Sequence, residues 1–150
     1  MNQPVIWKIS RFNELSAAEV YSILRLRSEV FVVEQNCVYQ DIDNKDVKAL
    51  HVIGSSSGEI VAYARIFDAG DYFEQASIGR VIVKQEYRIN KIGHQLMRQA
   101  ISAVTSHFNT SQIAISAQVY LEKFYEQHQF TSVGDGYLED DIPHIKMQRF

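Results

Sequence analysis

The most constraining feature of the chain is a strand that runs through a short basic turn into a long amphipathic helix, within residues 78–104. Residues 81–83 are β-branched, which favours a buried strand. The apolar residues after the turn recur at helical spacing and predict one apolar helix face: Ile92, Leu96, Met97, Ala100, Ile101 and Val104. A helix that begins at residues 88–93 directs free N–H groups and the positive end of its dipole outwards, which suits a phosphate. Arg88 and Lys91 add positive charge at this turn.

At these residues the chain resembles the GNAT superfamily, the Gcn5-related N-acetyltransferases. The signature of that family is Arg or Gln, two residues, Gly, one residue, and then Gly or Ala, and it holds the pyrophosphate of acetyl-coenzyme A. Arg88 and Gly93 match this signature, whereas Lys91 stands in the place of its first Gly. The resemblance implies that acetyl-coenzyme A is the co-substrate. The turn would hold its pyrophosphate, and the strand would pair with its pantetheine arm through main-chain atoms: Arg88, Ile89, Asn90, Lys91, Ile92 and Gly93 in the turn, and Val81, Ile82 and Val83 in the strand.

Further blocks of sequence, in the same order as in the family, carry the resemblance along the chain. Residues 121–130 resemble the later GNAT motif, a Tyr on a helix followed by a Gly-Phe pair that opens the last hairpin. Tyr125 matches that Tyr, and Gln129 takes the place of the Gly. Residues 27–43 and 137–145 resemble the bacterial ElaA-like subgroup. The resemblance therefore spans nearly the whole chain and does not rest on one motif.

The order of the predicted elements indicates the architecture. The chain has 150 residues and no low-complexity linker, so we expect a single domain over residues 1–150. Strands are predicted near 5–9, 50–53, 60–67, 78–83, 113–116, 131–133 and 145–148, and helices after a capping box at Ser16, after the basic turn and around 120–128. Residues 34–48 are polar and predicted to be irregular. Hairpins followed by a strand–helix–strand unit indicate a mixed sheet flanked by helices. The resemblance implies the same α/β (α+β) class, a GNAT-like mixed, mostly antiparallel central sheet with flanking helices.

Composition excludes some classes of protein. The net charge is -3, from 15 basic and 18 acidic residues, which argues against a dedicated nucleic-acid binder. No apolar run is long enough to span a membrane. The stretch from Met1 to Pro4 lacks the basic and apolar regions of a signal peptide, and the single Cys37 cannot form an internal disulfide. These features favour a cytoplasmic protein.

Acid–base chemistry is the next requirement, because acetyl transfer needs a neutral amine and a proton for the departing thiolate. Tyr125 matches the family's Tyr, which lies near the sulfur of coenzyme A, and a phenol with a pKa of about 10 is protonated at neutral pH. We therefore expect Tyr125 to donate this proton, although a helical Tyr is also ordinary core packing. The base that deprotonates the amine stays open between Glu34, His51, His144 and a water molecule. Glu34 ends the first helix beside a loop expected to face the acceptor. His144 begins the last strand, and a histidine has the better intrinsic pKa for a base, so we predict these two as catalytic.

The acidic segment of residues 41–46 has the spacing of a calcium loop at its start only. Lys45 stands at a ligand position, Asp46 replaces the turn Gly and Val52 replaces the closing Glu. We therefore predict no metal site. Acidic residues in the loops would instead favour a cationic acceptor, with simple loop solubility as the equal alternative. The residues concerned are Glu34, Asp41, Asp43, Asp46, Asp68, Asp71, Glu74, Asp135, Glu139, Asp140 and Asp141.

The sequence thus predicts an N-acetyltransferase that transfers an acetyl group from acetyl-coenzyme A to the primary amine of a small, cationic acceptor by direct attack. We expect a small-molecule partner and neither nucleic acid nor membrane. Two alternatives remain: a non-catalytic acyl-coenzyme A sensor, and a nucleotide-binding α/β domain, against which the absence of a strand-linked Gly-rich fingerprint argues. The sequence does not decide between a monomer and a homodimer.

Overall fold

The computed structural model describes residues 4–150, so Met1 to Gln3, part of the N-terminal stretch considered above, lie outside the described residues. In this described range, one sheet of seven strands forms the centre, in the order β1-β2-β3-β4-β5-β7-β6. The strands are β1 (Ile6–Arg11), β2 (Leu50–Ser56), β3 (Glu59–Phe67), β4 (Ala76–Val83), β5 (Ile113–Gln118), β6 (Thr131–Glu139) and β7 (Ile142–Arg149). The β4–β5 pair is parallel and the other neighbouring pairs are antiparallel. The predicted fold class, a mixed and mostly antiparallel sheet, is confirmed.

Among the residues that the structure describes, three α-helices flank the sheet: α1 (Ala17–Arg27), α2 (Ile92–Phe108) and α3 (Glu122–Glu126). The predicted capping box opens α1, since Ser16 Oγ accepts from the Glu19 N–H at 3.1 Å and the Glu19 carboxylate accepts from the Ser16 N–H at 2.9 Å. A π-helical segment, Ser28–Glu34, continues α1, and short 3₁₀ turns lie at Phe12–Glu14, Gln85–Asn90 and Val119–Leu121. Within residues 4–150, no helix is both long enough and apolar enough to cross a membrane.

The last part of the chain differs most from the sequence prediction. The single helix predicted around residues 120–128 is a 3₁₀ turn followed by the short α3. Strand β6 continues to Glu139, well beyond the predicted residue 133, because it pairs with β7 in a hairpin. Most β6 residues are exposed, so the strand lacks the alternation of buried and exposed side chains by which its length could be recognised.

The core lies on both faces of the sheet. On one face the apolar stripe of α2 packs against the sheet, and Leu96, Met97, Ala100 and Val104 are fully buried there. On the other face Ile23, Leu26 and Val30 from α1 and the segment after it pack with Ile53, Tyr63 and Ile82. Neighbouring residues of β2 serve the two faces, since Val52 joins the first cluster and Ile53 the second. The sheet is therefore held between α2 and α1.

Strands β4 and β5 separate after a short parallel contact. In the described part of the chain they pair only at Ala76 with Ile113 and at Ser77 with Ala114. Helix α2 makes the crossover between them, and it begins beyond the far end of β4. The remainder of each strand diverges from the other, which opens a cleft in the middle of the sheet.

Candidate active site

The cleft between β4 and β5 has a volume of about 600 Å³. Most of the predicted site residues meet in it, although they come from six parts of the chain. Those that line it are Glu34, Val81, Ile82, Val83, Arg88, Ile89, Lys91, Gly93, Tyr125 and His144. Two predicted turn residues do not line it: Asn90 is exposed, and Ile92 packs into the core with 6% exposure. A contact between the Asn90 or Ile92 main chain and a phosphate stays a prediction.

Strand β4 bulges where it borders the cleft. Arg65 of β3 pairs with Gly79 and Tyr63 pairs with Ile82, so Arg80 and Val81 together stand opposite one residue of β3. Arg80 has a φ of +50°, a left-handed conformation that costs a non-glycine residue roughly 1–2 kcal/mol. The bulge changes the direction of the β4 main chain at the wall of the cleft.

A buried arginine–aspartate cluster lies behind this wall, formed by Arg27, Arg65, Arg80, Asp41, Asp43 and Asp46. The fully buried Arg27 donates to Asp41 at 3.0 Å and to Asp46 at 2.7 Å. Arg80 donates through Nε to an Asp41 carboxylate oxygen at 2.8 Å and through Nη2 to the Asp41 carbonyl at 2.9 Å. The guanidinium of the strained Arg80 is thus fixed in place by the irregular segment after α1.

This cluster corrects one expectation from the sequence. Burial alone would raise the pKa of Asp46, but hydrogen bonds from Arg27 and Arg65, together with their charges, hold the pKa below its usual range. Arg65 has the same effect on the pKa of Asp43. These carboxylates are neutralised inside the protein, so Asp41, Asp43 and Asp46 do not form part of an acidic rim for an acceptor.

The turn before α2 explains how Lys91 replaces a signature Gly. Lys91 has a φ of +57°, the left-handed conformation that glycine adopts without steric cost, and α2 begins at the next residue. The backbone therefore keeps the course expected of the signature, and the Lys91 side chain lines the cleft. Gly93 is the second residue of α2, in the first turn, where N–H groups have no partner within the helix.

Arg88 connects three parts of the cleft. Its Nε donates to the Val83 carbonyl at 2.9 Å, and its two terminal nitrogens donate to the two carboxylate oxygens of Glu34 at 2.7 and 2.9 Å. A guanidinium has five N–H donors, so two remain for another acceptor such as a phosphate. Both Glu34 oxygens already accept from Arg88, an arrangement that does not favour Glu34 as the base.

Tyr125 lies inside the cleft, on α3. Its side chain is buried, with Phe124 and Phe130 packed edge-on at ring-centre distances of 5.1 and 6.1 Å. Burial, and to a smaller extent Tyr120, raises the pKa of Tyr125 above its usual range. The phenol is therefore protonated at neutral pH, as a proton donor must be.

His144 lies on β7, buried in the wall next to β5. Its Nδ1 is 2.6 Å from the Ile142 carbonyl, which can only accept, so Nδ1 carries the hydrogen of the neutral ring and Nε2 is an acceptor. That Nε2 is 3.5 Å from an oxygen of Glu139. Ser116 Oγ donates to the other Glu139 oxygen at 3.1 Å and is hydrogen-bonded to the Tyr137 hydroxyl. Sequence reasoning gave Ser116 no role, because only the pairing of β5, β6 and β7 brings it to Glu139.

Two further histidines, His51 and His128, are buried. Both ring nitrogens of His51 are hydrogen-bonded, to the Tyr63 hydroxyl at 2.6 Å and the Asp46 carbonyl at 2.9 Å, and His51 does not line the cleft, so it is not placed to act as the base. His128 lies just after α3, and its Nε2 is 2.8 Å from His94 Nδ1. Burial, and then the charge of His94, lowers the pKa of His128 to about 4.

No group of three or more His, Cys, Asp or Glu side chains in residues 4–150 is placed to hold a metal ion. Asp41, Asp43 and Asp46, which begin with the spacing of a calcium loop, bind arginines.

A sheet opened between parallel strands, with a phosphate-suited helix start at one end and a buried phenol inside, defines an acyltransferase that uses an acyl-coenzyme A as co-substrate. Residues 13–149 match the family model for the acetyltransferase (GNAT) domain. The chain belongs to this family and is a GNAT-type acyltransferase, of the ElaA-like group that the sequence blocks indicated.

Two relatives support this assignment along the full length of the chain. The ElaA protein of Escherichia coli is 43% identical over 145 residues, which are 95% of each chain. Its crystal structure superimposes with a TM-score of 0.91, covering 98% of this chain and 100% of that one. An acyl-CoA N-acyltransferase from Pseudomonas aeruginosa is 38% identical, with a TM-score of 0.90 over 97% of this chain and 99% of that chain.

Proposed function

We propose that the protein transfers the acetyl group of acetyl-coenzyme A to the primary amine of a small, cationic acceptor, by direct attack of the amine on the thioester. The observation that carries the proposal is that one cleft contains the basic helix start, the open edge of β4, Tyr125 and His144. These are the parts that a direct transfer requires, and the family's general reaction is acetyl-coenzyme A-dependent N-acetylation.

In this proposal the pyrophosphate lies against the N–H groups at the start of α2. Gly93 lets a phosphate approach the backbone, and Arg88 and Lys91 supply positive charge from the preceding turn. The pantetheine arm follows the edge of β4 that β5 leaves free, and pairs with main-chain atoms of residues 81–83. This arrangement brings the thioester towards the bulge at Arg80.

Each catalytic group then has one task. His144 Nε2 takes a proton from the acceptor ammonium, because Nδ1 already donates to Ile142. The neutral amine attacks the thioester carbonyl, and main-chain N–H groups at the β4 bulge stabilise the charge on its oxygen. The C–S bond breaks, and Tyr125 gives its proton to the thiolate. Since both oxygens of Glu34 are held by Arg88, we assign the base to His144.

The proposal is tested by incubating the purified protein with acetyl-coenzyme A and a panel of small amines. Release of free thiol and the mass of the acetylated amine are measured together, and reactions without amine or without protein serve as controls. We expect thiol release and amide formation in equal amounts with at least one cationic amine. Tight binding of acetyl-coenzyme A with no amide from any amine would instead indicate a sensor.

A further inference from the structure

When the His144 ring is neutral, two hydrogen-bond acceptors face each other at the wall of the cleft. With Nδ1 of His144 donating to the Ile142 carbonyl, Nε2 presents a lone pair, and a Glu139 oxygen lies 3.5 Å away. A lone pair and a carboxylate at this separation repel each other unless a proton or a cation lies between them. A primary ammonium satisfies both groups, because it is a cation with three N–H donors.

The carboxylate of Glu139 is held in this position by neutral donors. The Tyr137 hydroxyl and Ser116 Oγ share a hydrogen bond, and Ser116 has only one proton, which it gives to Glu139. The Tyr137 ring in turn stacks on the His144 ring, with their centres 6.2 Å apart. Neither donor carries a positive charge, so the negative charge of Glu139 is oriented but not cancelled. In this respect Glu139 differs from Glu34, whose charge is paired with Arg88.

The exposed fractions of the Glu139 and His144 side chains also favour an ammonium bound between them. The side chain of Glu139 is 46% exposed, whereas that of His144 is 8% exposed, and both line the cleft. An acceptor that enters from solvent therefore meets the carboxylate first and the imidazole behind it. The aspartates of the arginine–aspartate cluster cannot compete for a cation, because arginines surround them.

We propose that Glu139 is a specificity-determining residue that receives the acceptor as an ammonium and holds it between its carboxylate and His144 Nε2. This inference rests on the proposed function and names a residue that selects its substrate class. The ammonium N–H bond breaks and the proton passes to Nε2, while the freed electron pair forms the C–N bond to the thioester carbon. The C–S electrons remain on sulfur, which takes the Tyr125 proton. Tyr125 recovers a proton from the new amide nitrogen, and His144 releases its proton to solvent.

The test compares Glu139→Gln with Asp141→Asn, a matched removal of one negative charge from the same hairpin. The sequence placed Asp141 in the possible acidic rim, but Asp141 does not line the cleft, so the structure removes it from the acceptor site. Asp141 has a φ of +62°, which Asn tolerates well. With a cationic alkylamine we expect Glu139→Gln to raise the acceptor KM by about ten- to a hundredfold. Calorimetric affinity for acetyl-coenzyme A should be unchanged, and Asp141→Asn should behave as wild type.

An acceptor that is uncharged at neutral pH, such as an arylamine, gives the sharper comparison. The arylamine KM should be nearly the same in wild type and Glu139→Gln. A general disturbance of the cleft would instead raise the KM of the variant for the alkylamine and for the arylamine. Ser116→Ala, which removes the donor that orients the carboxylate, should raise the alkylamine KM by a smaller factor. If circular dichroism shows that Glu139→Gln does not fold, the alkylamine KM of Ser116→Ala tests the role of Glu139.

The outcomes separate this inference from the proposed function. An active wild-type enzyme with an unchanged alkylamine KM in Glu139→Gln or in a well-folded Ser116→Ala would overturn the role of Glu139 alone. A wild-type protein that acetylates no amine would overturn both.

Discussion

Replacing Gly93 by Ala separates the stability of α2 from its role in holding the cofactor. A β-carbon at this position would lie 3.5 Å from two ring atoms of Phe124, which is an ordinary van der Waals contact, so the fold should accept it. Alanine is favoured over glycine in a helix by up to about 1 kcal/mol. In the first turn of α2 we expect Gly93→Ala to raise the free energy of unfolding by roughly half of this amount to all of it. For a chain of this length we expect the melting temperature to rise by about 1–4 °C.

Binding of acetyl-coenzyme A should change in the opposite direction. The new methyl group fills space in the cleft where the phosphate is proposed to approach the backbone. Loss of one charge-assisted hydrogen bond to phosphate costs roughly 1.5–3 kcal/mol, which corresponds to a dissociation constant about 10- to 150-fold higher. The larger Gly93→Leu should prevent binding.

Both quantities are measured on one preparation, the melting temperature by differential scanning fluorimetry and the affinity by calorimetry. Gln99→Ala, at an exposed position of the same helix, is the control and should leave the affinity unchanged. Wild-type affinity in Gly93→Ala would refute the placement of the pyrophosphate. A lower melting temperature would refute the assumption that the added methyl group fits beside the Phe124 ring without strain.

Other substitutions test the remaining parts of the site. Arg88→Ala should raise the KM for acetyl-coenzyme A by about one to two orders of magnitude, in a salt-sensitive way, whereas Arg25→Ala, which breaks an exposed ion pair, should not. Tyr125→Phe should lower kcat by about a hundredfold, with cofactor affinity and melting temperature preserved, and an unchanged kcat would remove Tyr125 from the mechanism. Asp46→Asn should cost about 3 kcal/mol in urea unfolding, the low end for a broken buried ion pair, because Arg27 and Arg65 each keep a second aspartate. The depressed pKa values of Asp43 and Asp46 add stability that is complete above about pH 4 and is lost as the pH falls further. The urea concentration at the unfolding midpoint should therefore decrease as the pH is lowered from about 4. This decrease should be less steep in Asp46→Asn.

The parts of the fold that could be predicted from sequence are those with local patterns. The capping box at Ser16, the apolar stripe of α2 and the β-branched run in β4 each follow from residues close together in the chain. The residues that we propose to hold the cofactor come from one continuous segment, which supplies the strand, the turn and the helix start, so the sequence alone brings them together.

The part of the cleft where we propose that the acceptor binds depends on contacts between residues far apart in the sequence. Ser116 and Glu139 are 23 positions apart, and their hydrogen bond exists only because β7 inserts between β5 and β6. The partners of Asp41 and Asp43 likewise lie on α1, β3 and β4. From the sequence those aspartates had the composition of a solvated loop, and nothing local showed that three arginines would meet them.

The arginine–aspartate cluster has a consequence for the site itself. The free-energy cost of desolvating these charged groups offsets much of the gain from their ion pairs, so the cluster adds little net stability, although breaking one pair is costly. We infer that the cluster acts mainly to fix one geometry. It fixes Arg80 in its left-handed conformation and the irregular segment beside it. Cys37 of this segment lies 3.4 Å from the Asp140 carbonyl in the turn that follows Glu139. Asp41 does not line the cleft, but it binds Arg80 of the β4 bulge and belongs to the same segment as Cys37, which contacts the β6–β7 hairpin. We therefore expect substitutions at Asp41 to disturb both the β4 wall of the cleft and this hairpin.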